Sequence, residues 1–315
     1  MFRKKHSLIK GTLILTSAGL VSRVLGFFFR IFLSHTFGEE QVGLYQLIFP
    51  FYALCLSLST SGLETAISRS VSRFHSLGRT QDGKLIFKTG LILSVLISLI
   101  CTFLVQKNSV FLSNRFLGDP RCATLLYLIV LALPAASVHS CICGYHYGLQ
   151  RTSVPAISQL IEQFVRISSV FVLYFIFIHR GVHPKIPLAV SGIIFGELAA
   201  AGYSLFSLKK KGFDANSPYI LSISKSCSEL LRLSVPLTVN RTAITFLQGI
   251  EAASIPVCLE LASHSASEAL SIYGVLTGMA LPCILFPSAL TNSVSLLLIP
   301  AVAQKQAESS SKETL

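Results

Sequence analysis

Along the chain, long apolar runs alternate eight times with short polar segments. The runs fall near residues 8–33, 43–68, 86–105, 123–147, 155–178, 187–208, 232–258 and 272–302. Each has the length a helix needs to cross a bilayer, about 20 residues. The pattern predicts an all-α integral membrane protein of about eight transmembrane helices, and an even number of spans places both chain ends on one side. Composition agrees: 52% of residues are hydrophobic and 13% charged, against roughly 25% charged in a soluble domain.

The first run, Gly11 to Gly38, carries two arginines, Arg23 and Arg30. An arginine near the centre of a span costs roughly 2.5–3.5 kcal/mol on insertion scales, so protein or water has to face it. Seven residues at about 100° each fall about 20° short of two turns, which puts both guanidinium groups on nearly the same face. A cleavable secretory leader has a short, uncharged apolar core. This run is long and charged, and is expected to remain as the first span.

The net charge of +12 would point to nucleic acid in a soluble protein, but here its distribution marks topology. Seventeen Lys and Arg fall on the side of the N-terminus (1–10, 69–88, Arg151, 209–232 and the tail), and five on the other (34–42, 106–122, 179–186, 259–271). Basic residues are held on the cytoplasmic side. The expectation is a multi-pass protein of the cell membrane with both termini cytoplasmic and no nucleic-acid partner.

The other charged residues inside spans are Glu64, Glu162, Arg166, Glu197, Arg241 and Glu251, and intramembrane charges are functional candidates by default. Glu162 and Arg166 stand four apart with the acid first, the favoured order for a pair on one helix face. That pair either satisfies itself or belongs to a polar cavity or relay. Glu64 lies toward the cytoplasmic end of its span, within reach of the interface. Glu197 has no basic residue on its own helix and needs a partner elsewhere or a proton. Prolines at 50, 134, 236, 282 and 287 interrupt helices at membrane depth, tolerable where neighbours or a cavity satisfy the freed carbonyls. The eight cysteines show no metal-like spacing and read as small packing residues. Asn240-Arg241-Thr242 has the form of a glycosylation sequon but lies at membrane depth. His139 and His146, seven apart, read as packing. No zinc-protease HExxH, DxxD-like acidic cluster or nucleophile elbow is present, so neither an enzyme nor a metal or other cofactor is expected.

Ser22-Arg23-Val24-Leu25-Gly26-Phe27, followed by Arg30 and Phe37-Gly38, resembles the first-helix signature of the lipid II flippase branch of the multidrug/oligosaccharidyl-lipid/polysaccharide exporter superfamily. Gly43-Leu44-Tyr45-Gln46 with Pro50, and Leu58 to Gly62 with Ala66-Ile67-Ser68, are similar to the polysaccharide transporter and stage V sporulation protein B group. So are Gly144-Tyr145 to Gln150, Gln159 to Gln163 with Arg166, and Tyr273-Gly274 to Pro282.

The resemblance implies a flippase that moves a polyprenyl-diphosphate-linked saccharide across the membrane by alternating access between two six-helix lobes. Arginines of the central cavity would hold the diphosphate. Arg30 is the best match to the first-helix cavity arginine, Arg23 divides between a cavity role and a structural one, and Arg241 is a second contact. Glu162, Arg166, Glu197, Glu64 and Glu251 are the cavity or coupling candidates. Residues 1–208 are then a six-helix lobe, 209–231 a basic cytoplasmic linker, 232–302 the first two helices of a second lobe and 303–315 a polar cytoplasmic tail. A weak repeat at a shift of 228 lays Leu44-Tyr45 on Ile272-Tyr273 and Ser61-Gly62 to Glu64 on Ala289-Leu290 to Asn292. Since the family has roughly twelve to fourteen helices arranged as repeats, a missing C-terminal half or another subunit is an expected partner, besides the bilayer and the lipid-linked saccharide. The alternatives are a cation-coupled multidrug antiporter of the same superfamily and a non-transporting membrane assembly protein.

Overall fold

In lipid every backbone polar group has to be satisfied internally, which leaves an apolar run of this length the helix. The computed structural model describes residues 2–209, 221–262 and 264–285, and among them there is no strand. The later part of the eighth run with Pro287, the tail at 303–315, most of the 209–220 stretch and the repeat positions Ala289 to Asn292 lie outside the described residues.

The helices are α1 (Phe2–Phe37), α2 (Glu39–Leu56), α3 (Gly62–Ser76), α4 (Thr80–Lys107), α5 (Ser109–Leu112), α6 (Cys122–Ile129), α7 (Leu133–Gly148), α8 (Ser153–His179), α9 (Pro187–Lys209), α10 (Ile223–Leu261) and α11 (Ala266–Gly274). A π-helical turn at Ser57–Ser61 fuses α2 to α3, and a 3-10 turn at Val130–Ala132 fuses α6 to α7. Another π-helical turn, Val275–Ala280, prolongs α11. The result, among the described residues, is eight helices long and apolar enough to cross a membrane.

Boundaries moved where capping outranks apolarity. The seventh helix starts at Ile223 rather than near 232, because Ser222 Oγ accepts the amide of Lys225 at 3.4 Å and buried Asp82 accepts the amide of Leu221 at 2.9 Å. The eighth starts at Ala266, under a reciprocal box between Ser265 and Glu268, and each such cap satisfies amides that a helix leaves open.

Two buried clusters hold the bundle. One joins α1, α2, α6 and α9 through Leu33, Leu47, Ile48, Ile129 and Ile193. The other joins α3, α4, α7 and α10 through Ile67, Phe74, Ile86, Ile142 and Leu230. Between helices in lipid the attraction is close packing. Gly43 of α2 and Gly274 of α11 meet so closely that a methyl group on Gly274 would stand 2.7 Å from the Gly43 amide nitrogen. The π turn at Ser57–Ser61 frees a carbonyl on Ser59, to which Ser94 of α4 donates at 2.7 Å. Ser57 in the same turn bonds Thr242 of α10 at 3.1 Å.

Contacts between connecting segments group them by end of the bundle. Arg73 pairs with Glu229 at 2.7 Å, and Thr152 bonds the Gly11 carbonyl at 2.9 Å, all at the end where α1 begins. At the other end Arg121 pairs with Glu40 and Asp119, both at 2.7 Å. Hydrogen bonds to Asp119 and then Glu40 raise the Arg121 pKa above its ordinary value. Single cysteines placed in 34–42 or 259–271, on a background without the eight native ones, are expected to be labelled from outside intact cells. Those in 69–88 are expected to need permeabilisation, and the reverse pattern would invert the topology.

Candidate functional site

The two arginines of the first span do lie on one face, and that face lines a cavity of about 510 Å³. Three local features build it. Gly38, at φ +81°, turns the chain between α1 and α2 within a single residue, a backbone geometry that favours glycine. This folds Tyr45 and Gln46 of α2 toward Arg30. Phe32 of α1 packs on Phe171 of α8, ring centres 4.2 Å apart, and edge-on against Tyr174, so α8 presents Gln163 and Arg166 to the same space. The π turn at Val275–Ala280, in which Thr277 donates to the Tyr273 carbonyl at 2.7 Å, brings Thr277 and Pro282 to the far wall.

Arg23, Arg30 and Arg166 therefore line one cavity, whose lining among the described residues contains no carboxylate. Arg23 and Arg30 are exposed to it. Ser22 Oγ and Arg166 Nε, both buried, have no hydrogen-bond partner among the described residues. Gly26 lies between the two arginines on the α1 face, where a methyl group would stand in ordinary contact, 3.4 Å from the Gln163 amide nitrogen.

Behind Arg166 is a cluster of acids and an imidazole. Arg166 forms an ion pair with Glu162 one turn away. Side-chain donor atoms of His139 (α7), Glu162 (α8) and Glu197 (α9) lie within 4.8 Å of one another. His139 Nδ1 stands 3.5 Å from Glu197 Oε2 and Nε2 3.0 Å from Ser158 Oγ. Gly192 and Gly196 of α9 seat α8 at this level. A methyl group on Gly196 would stand 2.8 Å from the Glu162 carbonyl oxygen, and one on Gly192 would stand 2.9 Å from that of Arg166.

The partner that Glu197 requires is His139, which reads as packing in the sequence but joins three helices through its two ring nitrogens. His146 stays buried and packs edge-on to Tyr145. Glu64 is half-buried, with His139 and Arg241 in electrostatic range. Arg241 is exposed on α10 and outside the lining of this cavity. Glu251 is also exposed on α10, in range of Tyr273. All eight cysteines are free thiols. Tyr45, Gln46, Gln163 and Thr277 are lining groups that spacing alone did not single out.

Residues 8–306 match the family model described as polysaccharide biosynthesis protein. The chain belongs to this polysaccharide biosynthesis family. Two relatives come from Bacillus subtilis. Stage V sporulation protein B is 33% identical over 95% of this chain and 59% of that protein. Lipid II flippase MurJ is 26% identical over 94% of this chain and 58% of that protein. The chain thus spans less than two thirds of the length of either relative. A solved MOP superfamily transporter from Pyrococcus furiosus shares the fold, with a TM-score of 0.61 at 14% identity over 95% of this chain and 67% of that one. Family membership, the all-α fold and eight crossing helices together make this a multi-pass membrane protein, with relatives among carriers rather than enzymes.

Proposed function

We propose that this chain supplies the anion-binding lobe of a flippase for a polyprenyl-diphosphate-linked saccharide, working by alternating access in the cytoplasmic membrane with both termini cytoplasmic. The observation that carries this reading is the convergence of Arg23, Arg30 and Arg166 on one acid-free cavity among apolar helices. Guanidinium groups stay charged in a low-dielectric site and match phosphate oxygens two at a time. A diphosphate diester carries two negative charges, which the guanidinium groups of the cavity match. The same three cations disfavour a cationic drug as cargo. A relative named for flipping lipid II supports the substrate class. On this reading α10 and α11, packed on α2 and α3, begin a second lobe, and further helices or another subunit complete the cavity wall. Arg241 then belongs to that opposite wall.

The test is binding to the protein in lipid nanodiscs of three short-chain prenyl-linked N-acetylglucosamines, joined by a diphosphate, by a monophosphate or by no phosphate. Affinity is expected to fall in that order. Equal affinity for all three would overturn the anion reading.

A further inference from the structure

Arg166 belongs to two places at once: the residue lines the cavity, and its guanidinium pairs with Glu162. An anion entering the cavity competes with Glu162 for that guanidinium. Glu162 would then face the Glu197 carboxylate, within 4.8 Å, without its cation. Two carboxylates at this range in a buried site cannot both stay charged, and one takes a proton.

The hydrogen bonds around His139 show that the cluster is built to carry protons. Ser158 donates its own hydroxyl proton to the Pro155 carbonyl at 2.9 Å, so at 3.0 Å it accepts from His139 Nε2. With the imidazole proton committed to Nε2, a neutral ring would turn the bare Nδ1 lone pair toward the Glu197 carboxylate. Only a proton between Nδ1 and Oε2 makes that contact favourable. The resting cluster is then one proton shared by His139 and Glu197, plus the Glu162–Arg166 pair, and is neutral.

We propose that anion binding in the cavity loads one further proton onto the Glu162–Glu197–His139 cluster, by drawing the Arg166 guanidinium away from Glu162. This rests on the anion-binding reading of the cavity. The proton comes from water and leaves again when the anion departs and Arg166 returns.

The remaining groups in range leave this balance standing. From α7, Cys143 faces His139 itself and, at 3.7 Å, Ser158. From α2, Tyr45 and Tyr52 face Arg166 as neutral phenols, and Tyr45 also faces Arg30 of α1. From α3, Glu64 faces His139 and is itself faced by Arg241 of α10, so that acid has a separate cation.

The experiment is titration calorimetry of the full chain in nanodiscs with the short-chain prenyl-diphosphate-linked N-acetylglucosamine, a diester with no phosphate proton near neutrality, in buffers of different ionisation enthalpy. Uptake of about one proton per bound ligand is expected, and affinity should fall up to tenfold for each unit of rising pH. Glu162→Gln is expected to bind more tightly, with no uptake and a flat pH profile, because Arg166 is already released. Glu197→Gln is expected to lower the uptake and decides the matter if Glu162→Gln does not fold. Binding without uptake, or uptake unchanged in these variants, would overturn the proton proposal and leave the anion site intact. Absence of binding would overturn both.

Discussion

Replacing Arg30 by alanine is expected to weaken binding of the prenyl-diphosphate ligand by about 10- to 150-fold while the protein still inserts. That range corresponds to roughly 1.5–3 kcal/mol for hydrogen bonds to a charged partner. Arg30 faces the cavity without a carboxylate partner among the described residues, so its removal strands no buried acid and the loss reports the ligand contact itself. Insertion should become easier, since the arginine is the expensive group in the span. Arg30→Lys keeps the charge but not the planar fork, and most of the loss is expected to persist. Parent-like affinity in the alanine variant would remove Arg30 from the site.

The other large effect is expected from Gly196→Leu. The Glu162 carbonyl oxygen and Arg166 Cβ lie 2.8 and 3.2 Å from where its first side-chain carbon would go. A leucine therefore has to push α8 off α9. Overpacking of this kind costs about 1–3 kcal/mol or more, and here it displaces the two residues that join cavity to cluster. Loss of thermal stability and of ligand binding together are expected. Gly202→Ala, on the same helix with nothing within 4 Å, is the control and should stabilise by about 0.5–1 kcal/mol through helix propensity. If Gly196→Leu melts like the parent, the close seat of α8 on α9 is wrong.

Much of the site was readable along single helices. Arg23 and Arg30 share a face because seven residues nearly close two turns, and Glu162 meets Arg166 because four residues make one. The capping box of Ser265 and Glu268 was not read, and apolarity alone drew the eighth span late. Asp82 was not legible as an anchor for Leu221, since 139 residues separate them and no local pattern links the two.

The sequence by itself determined the number of spans and the arginine face of α1, because bilayer thickness and helical rotation act on local residues. Only the tertiary structure decided that Arg166 turns into the cavity, that Glu197 and His139 are partners, and that Arg241 lies elsewhere. These outcomes depend on how far each helix slides and rotates against its neighbours. That register is set by backbone contacts at Gly192, Gly196, Gly43 and Gly274, where the partner is a carbonyl or amide whose position no side-chain pattern encodes.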